Sequence, residues 1–422
     1  MYEIVFQSEW PLLFVIWGNL LFIILSFSGL LVFNYLLHQN QTSMRDFFEK
    51  DMESPPAAVF LPLRGVTPEI RLTLKSLMEQ DYPDYRVFVI LDHVEDSGYT
   101  TVRDILAEID PEEKIIELHV RSEYYETASP KTSSLIEYFR KTDSRFINYV
   151  LLDGDVVPYP MWLRDVTIPL SDPTVKAVSG YRWYPPVTYS IAENVRYLFN
   201  AVSWVWICFG KYLWGGSCSF SRDIALSDTV INTLKVSIAE DSGLTAVMQR
   251  EHWKTFAVPS VISVNQEETH NLFSVFNWLR RQVMWNYLSL PRNWFFYNLM
   301  VWAIVLCQLW LLCVGGLSLY NQNWLLLKYV LACEGIFWCG LVLMLAILEI
   351  IARRCIHYRQ SVSIYFSVMG WLLICLAIPL TLILTAMATI SPFFTKKLNW
   401  RGVEYQCERH SMKIVHYRPY KQ

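Results

Sequence analysis

The 422-residue chain is 53% hydrophobic and 15% aromatic but only 18% charged, whereas soluble globular chains carry about a quarter charged residues, which argues against a wholly soluble protein. Thirty-six Lys and Arg against 39 Asp and Glu give a formal net charge of -3, leaving no basic excess for the phosphates of nucleic acid, so nucleic acid is not expected as a partner. The nine cysteines form no CxxC pair, and Cys307, Cys313, Cys333, Cys339 and Cys375 sit in apolar runs, so neither a disulfide framework nor a zinc site is implied.

Residues 1–38 read as an N-terminal membrane anchor. Pro11 to Leu37 is a run of 27 residues without a charge, longer than the ~20 that span a bilayer and too long for the apolar core of a cleaved signal peptide. Residues 39–271 alternate between apolar strands and amphipathic helices. Ala57 to Leu61, Val87 to Leu91, Ile115 to Val120 and Tyr149 to Leu152 are predicted strands. Thr67-Pro68-Glu69 offers an N-cap, a first-turn proline and an early acid to a helix carrying Ile70, Leu74 and Leu77, and Val102, Ile105, Leu106 and Ile109 form another helical face. Near-continuous apolar strands in such alternation predict an α/β domain with a mostly parallel sheet, whose ligands bind off the carboxyl ends of the strands. Tyr197 to Gly210 is uncharged but too short to span, and is expected as a buried or membrane-facing helix beside the site.

Residues 272–294 are predicted as an interfacial helix, with Leu272, Phe276, Leu279, Val283, Tyr287 and Leu290 on one face and arginines beside them. Residues 295–395 hold three apolar blocks, Tyr297 to Tyr320, Leu325 to Ile351 and Ile364 to Ile390, and residues 396–422 form a polar tail. Glu3 and Glu9 precede the first span without a Lys or Arg, whereas Arg45, Lys50, Arg280, Arg281 and Arg292 flank the middle. That bias places the middle in the cytosol and leaves the Asn40-Gln41-Thr42 sequon unused. Three further crossings would put Lys396, Lys397 and Arg401 outside. The expectation is therefore that Ile364 to Thr395, broken by Pro379, turns back as a hairpin and leaves the tail inside.

Two acidic clusters close predicted strands: Asp92 follows Val87 to Leu91, and Asp153-Gly154-Asp155 follows Tyr149 to Leu152. A D-x-D at a strand end suits Mg²⁺ or Mn²⁺ held by one or two carboxylates and completed by substrate phosphates. Asp-Gly is also common in turns, and it is the placement on the ligand edge that favours the metal. Glu240-Asp241 opens a helical stretch, where acids can simply complement the helix N-terminus. Arg281 and Trp285 share one face of the interfacial helix, as lipid-facing residues also would.

In order along the chain stand Pro62-Leu63-Arg64-Gly65-Val66, Asp81-Tyr82-Pro83-Asp84-Tyr85, Asp92-His93 with Glu95-Asp96, Pro130-Lys131 and Asp153-Gly154-Asp155. Gly216-Ser217-Cys218, Arg222-Asp223, Ala239-Glu240-Asp241, Arg281 through Trp285, and Trp400-Arg401-Gly402 with Tyr405 follow. This series resembles the family 2 type nucleotide-sugar glycosyltransferases, most closely the ceramide glucosyltransferases, over nearly the whole chain. The resemblance implies a GT-A fold, a UDP-sugar donor, a divalent metal (Mg²⁺ or Mn²⁺) and a membrane-lipid acceptor, with inversion at the sugar. By the same resemblance Asp153 and Asp155 would hold the metal, Asp92 the uridine, and Asp241 would be the base. Leu63, Arg64, Asp96, Lys131, Arg281 and Trp285 would complete the donor site, and Glu240, Gly216, Ser217 and Trp204 would surround the acceptor. The family's last motif carries an arginine directly before its tryptophan. Met284 stands there, so Arg280 or Lys131 is expected to compensate. A processive polysaccharide synthase, or a membrane protein that binds nucleotide-sugars or lipids without turnover, are the competing readings.

Overall fold

The computed structural model describes residues 10–50, 54–266, 269, 271–362, 366–408 and 411–421, with side chains from Ile16 onward. Residues 1–9, whose Glu3 and Glu9 entered the orientation expectation, lie outside the described residues, as does Ile364. The first helix, α1 (Trp10–Glu49), continues past the apolar run into the catalytic domain. There Phe47 meets the edge of Phe256 at 6.2 Å, and the Asn40 amide donates to the carbonyl of Ala257 at 2.8 Å.

The predicted strands form as β1 (Ala57–Leu63), β2 (Tyr85–Leu91), β3 (Ile116–Val120) and β4 (Asn148–Leu152). β1 and β4 are buried along their entire length, as their unbroken apolar sequences require. Strands β5 (Val175–Trp183), β6 (Ser217–Ser221) and β7 (Lys254–Val264) complete a seven-stranded sheet in the order β3-β2-β1-β4-β6-β5-β7. Only β6 runs antiparallel to its neighbours. β1 pairs in parallel with both β2 and β4, so the carboxyl ends of all three strands lie at one edge. Helices α2 (Ile70–Met78) and α3 (Ser97–Ile109) bury apolar faces on the sheet, and α4 (Pro130–Lys141) starts with Pro130 behind a Ser129 cap.

Helix α5 (Ile191–Gly210) is the uncharged stretch, extended at its N-terminus. It is followed by α6 (Glu240–Arg250), α7 (Leu272–Ser289), α8 (Pro291–Tyr320), α9 (Trp324–His357) and α10 (Val368–Ile390). Among the described residues, α1, α8, α9 and α10 are long and apolar enough to cross a membrane. Polar contacts join α1 to α8 and α5 to α9: the Gln308 and Asn19 side-chain amides bond at 2.9 Å, and the Tyr197 hydroxyl donates to Glu349 at 2.7 Å. Arg359, just past α9, forms an ion pair with buried Asp165 of the catalytic domain at 2.8 Å.

The hairpin expected over Ile364 to Thr395 is not formed. α10 is one continuous helix through Pro379. Next to it, the Tyr189 and Ser367 hydroxyls meet at 3.4 Å, while at its far end the Trp294 indole donates to the carbonyl of Thr389 at 3.1 Å. Both ends thus touch groups bordering the catalytic domain, and the helix lies along α5 and α7. A proline costs an α-helix one backbone bond but need not reverse it when neighbouring helices enclose the site. The polar tail is also ordered: β8 (Lys397–Trp400), β9 (Val403–Glu408) and β10 (Ser411–Tyr417) form an antiparallel sheet.

Candidate active site

A cavity of about 1,140 Å³ opens at the ligand edge of the sheet and runs on to α5 and the start of α8. Its polar end is built from strand ends. Asp153 and Asp155 follow β4, and the Thr67 hydroxyl donates to the intervening Gly154 carbonyl at 3.0 Å. Lys131, in the first turn of α4, donates to Asp153 at 2.6 Å and sits 2.5 Å from Glu240. Arg182 of β5 spans both acids, at 2.7 Å from Asp155 and 3.2 Å from Asp153, and stacks over Trp214. Burial opposes charge on Asp153, but Lys131 and Arg182 hold its carboxyl below the usual range.

Arg182 was not anticipated. Its signal is a guanidinium at the carboxyl end of a mostly buried strand, where it must find an anionic partner to be tolerated. Do the two aspartates suit the implied divalent ion? They are hard oxygen donors, about a quarter exposed to the cleft, and they already admit one cationic group between them. They fit. Among the described residues no third His, Cys, Asp or Glu joins them, so substrate phosphate or water would complete the shell.

Glu240 and Asp241 lie side by side in the first turn of α6. Asp241 accepts from the backbone N–H of Ser242 at 2.6 Å and of Gly215 at 3.5 Å. Burial pushes the Glu240 carboxyl up to about 7, against the pull of Lys131 and with repulsion from Asp241 and Asp153. Burial raises Asp241 as well, and Lys131 opposes that shift. Both carboxyls line the cleft, together with Leu63, Arg64, Lys131, Arg281 and Trp285.

Asp92 reaches it too, but is already saturated. It pairs with Arg64, with Arg121 at 2.6 Å, and with the Tyr417 hydroxyl from the tail at 2.9 Å. Burial, and then the Asp92 charge, push the Tyr417 hydroxyl up to about 12.

Four expected site residues serve elsewhere. Asp96 caps α3, accepting from the N–H of Gly98 and of Gly65, because a buried carboxylate beside free backbone donors is best satisfied there. The Ser217 hydroxyl accepts from the Trp162 indole at 2.7 Å inside the core. Gly216 leaves space that a Cβ would take from Trp214 and Asp153, so it shapes the acid pair without lining the cleft. Trp204 is 2% exposed, packed on Phe33 and Tyr181. Met284 is also buried, on the face of α7 turned from the cleft. Arg280 points the same way, donating to Thr395 at 2.9 Å.

The other end of the cavity is apolar, lined by Trp206, Ile207, Phe209, Phe296 and Tyr297. Trp206 is 44% and Phe296 57% exposed, on helices that flank or enter the apolar bundle.

The sequence profile of glycosyl transferase family 21 matches residues 21–412. Comparison with curated proteins returns no match. Among solved structures, the chain is similar to the mannosyltransferase PcManGT from Pyrobaculum calidifontis in complex with GDP-Man and Mn²⁺, at 15% identity and TM-score 0.43 over 89% of this chain and 99% of that one. It is also similar to glucosyl-3-phosphoglycerate synthase from Mycobacterium tuberculosis in complex with Mn²⁺ and UDP-glucose, at 14% identity and TM-score 0.35 over 58% and 82%. Likenesses this distant carry no information on substrate.

Proposed function

The chain belongs to glycosyl transferase family 21 and is a glycosyltransferase, and from that premise we propose that it transfers a hexose, glucose in the first instance, from a UDP-sugar to the hydroxyl of a membrane lipid such as ceramide, with inversion. One observation carries this reading: a single cavity joins a charged end, holding Asp153, Asp155, Lys131 and Arg182, to an apolar end lined by Trp206, Phe209 and Phe296. A nucleotide-sugar suits the first and an acyl chain the second. Glu240 and Asp241 stand at the charged end beside Lys131.

Asp241 is the group assigned to take the proton as the lipid hydroxyl attacks the anomeric carbon, a role typically worth about 10²- to 10⁴-fold. Lys131 holds Asp153 and Glu240 in place, and Arg281 offers a fork of donors to the departing diphosphate. A divalent ion bound by Asp153 and Asp155 would neutralise charge developing on that diphosphate. Trp285 and Trp400, 6.0 Å apart, wall the sugar off from water. The test is UDP release from UDP-glucose by the purified protein in nanodiscs. Release is expected with ceramide and not without it; lipid-independent polymer would indicate a polysaccharide synthase, and no release a binding protein.

The catalytic domain and tail are assigned to the cytosolic face. A membrane-impermeant thiol reagent should reach Cys407 only after permeabilisation, and labelling in intact cells would overturn that orientation.

A further inference from the structure

Around the cavity six cations, Arg64, Arg121, Lys131, Arg182, Arg281 and Arg401, outnumber five acids, Asp92, Asp153, Asp155, Glu240 and Asp241. Asp92 is matched by Arg64 and Arg121, and the Asp153, Asp155 and Glu240 group by Lys131 and Arg182. Arg281 and Arg401 also face the cavity, and among the described residues neither forms an ion pair. Arg281 is partly buried, its guanidinium pushed down by burial and then by the nearby Arg401 and Arg182 charges. Arg281, half-buried, and Arg401, solvent-exposed, are thus two guanidiniums without an ion-pair partner at one polar cavity, an arrangement that can hold an anion through charge-assisted hydrogen bonds.

Arg401 comes from the tail. With Gly402 it forms the two-residue turn between β8 and β9, and both have left-handed φ, 48° and 77°. That is the primed turn whose twist suits a hairpin, but an arginine in its first position is strained where asparagine or glycine would not be. Backbone strain of this kind collects at functional sites. The turn is clasped by the donor loop: Arg401 Nη1 donates to the Arg64 carbonyl, and Arg64 Nε to the Arg401 carbonyl, each at 2.8 Å. Beside it, Arg281 lies over the Trp400 ring at 5.3 Å. Nε and Nη2 of Arg401 have no acceptor among the described residues.

We propose that Arg401 is the second guanidinium that grips the donor diphosphate, filling the role that Met284, buried away from the cleft, cannot take, and that the C-terminal hairpin is therefore a working wall of the donor site. This rests on the nucleotide-sugar reading. Arg401 and Arg281 approach the phosphates from the tail and from α7.

Arg401→Gly tests it, because glycine adopts the left-handed turn freely and the change removes only the side chain. UDP and UMP affinities are measured by calorimetry on the full-length protein in nanodiscs with Mg²⁺. The variant should bind UDP about tenfold more weakly, the scale of lost bonds to a charged group, with UMP affinity nearly unchanged and the thermal midpoint retained. Arg401→Lys should recover part of the loss and Arg401→Gln should not, because either side chain can donate to the Arg64 carbonyl but only lysine keeps the charge. If the wild type binds UDP and Arg401→Gly binds it equally well, the inference is overturned while the donor reading stands. A wild type that binds neither UDP nor UMP overturns both. If Arg401→Gly loses its fold, Arg401→Lys and Arg401→Gln decide instead: equal UDP affinity for those two overturns the inference.

Discussion

The two ends of the cavity are made in opposite ways. At the donor end nearly every side chain is held by a partner: Asp153 by Lys131 and Arg182, Asp92 by Arg64, Arg121 and Tyr417, Asp241 by backbone N–H groups. At the acceptor end Trp206, Phe209 and Phe296 present exposed rings on helices that flank or enter the apolar bundle. A diphosphate has fixed geometry and charge, so its site gains from pre-organisation; an acyl chain has neither, and needs only apolar surface continuous with the bilayer. The comparison teaches that a substitution at the donor end should act on turnover or nucleotide binding, and one at the acceptor end on the lipid alone.

The largest effect is expected at the acid pair. Asp155→Ala frees Arg182 and removes one of the two candidate metal ligands, and transfer should fall to background, as it should on chelation with EDTA. Full turnover in excess EDTA would remove the metal from the account while leaving the sugar donor. Next comes Asp241→Asn, which keeps shape and removes basicity. Turnover should drop by about 10² or more with UDP affinity little changed, whereas Glu240→Gln should cost less. Because burial raises Asp241, the base is protonated and idle on the acid side; kcat/KM should therefore fall as pH is lowered through its raised pKa. A profile without that limb, or Asp241→Asn retaining more than about a tenth of wild-type turnover, would move the role to Glu240 or Asp223. The smallest effect belongs to the acceptor end: Trp206→Ala should raise the lipid KM by a few-fold, roughly the loss of part of one aromatic contact, and leave UDP binding untouched. A change in UDP affinity there would break the division between the two ends.

The donor end was largely legible in the sequence, and the acceptor end and tail much less so. β1 and the carboxyl-terminal parts of β2 and β4, Val87 to Leu91 and Tyr149 to Leu152, are apolar runs, and acids that follow the latter two sit at the ligand edge of a parallel sheet. Strand position says nothing about what else turns toward the same spot. Arg182 reaches the acid pair from a strand more than twenty residues on, and Tyr417 reaches Asp92 across the whole chain. Motif position likewise fails to fix orientation. Asp96, Ser217 and Trp204 lie beside residues that line the cavity, yet local capping and core packing claim their side chains. The tail strands are short and mixed in polarity, and their register comes from pairing with one another and from docking against Arg64 and Glu126. Pro379 misled for the opposite reason: its local rule was correct, but packing between helices overrode it.

The most direct test of the central claim, that one cavity joins a sugar nucleotide to a membrane lipid, is mass spectrometry of lipids extracted after the wild type in ceramide-containing nanodiscs has been incubated with UDP-glucose and Mg²⁺. The account predicts a hexosylated ceramide with a β linkage, present in the wild type and lost in Asp241→Asn. UDP release with no new lipid species, or the same product from Asp241→Asn at the wild-type rate, would contradict it.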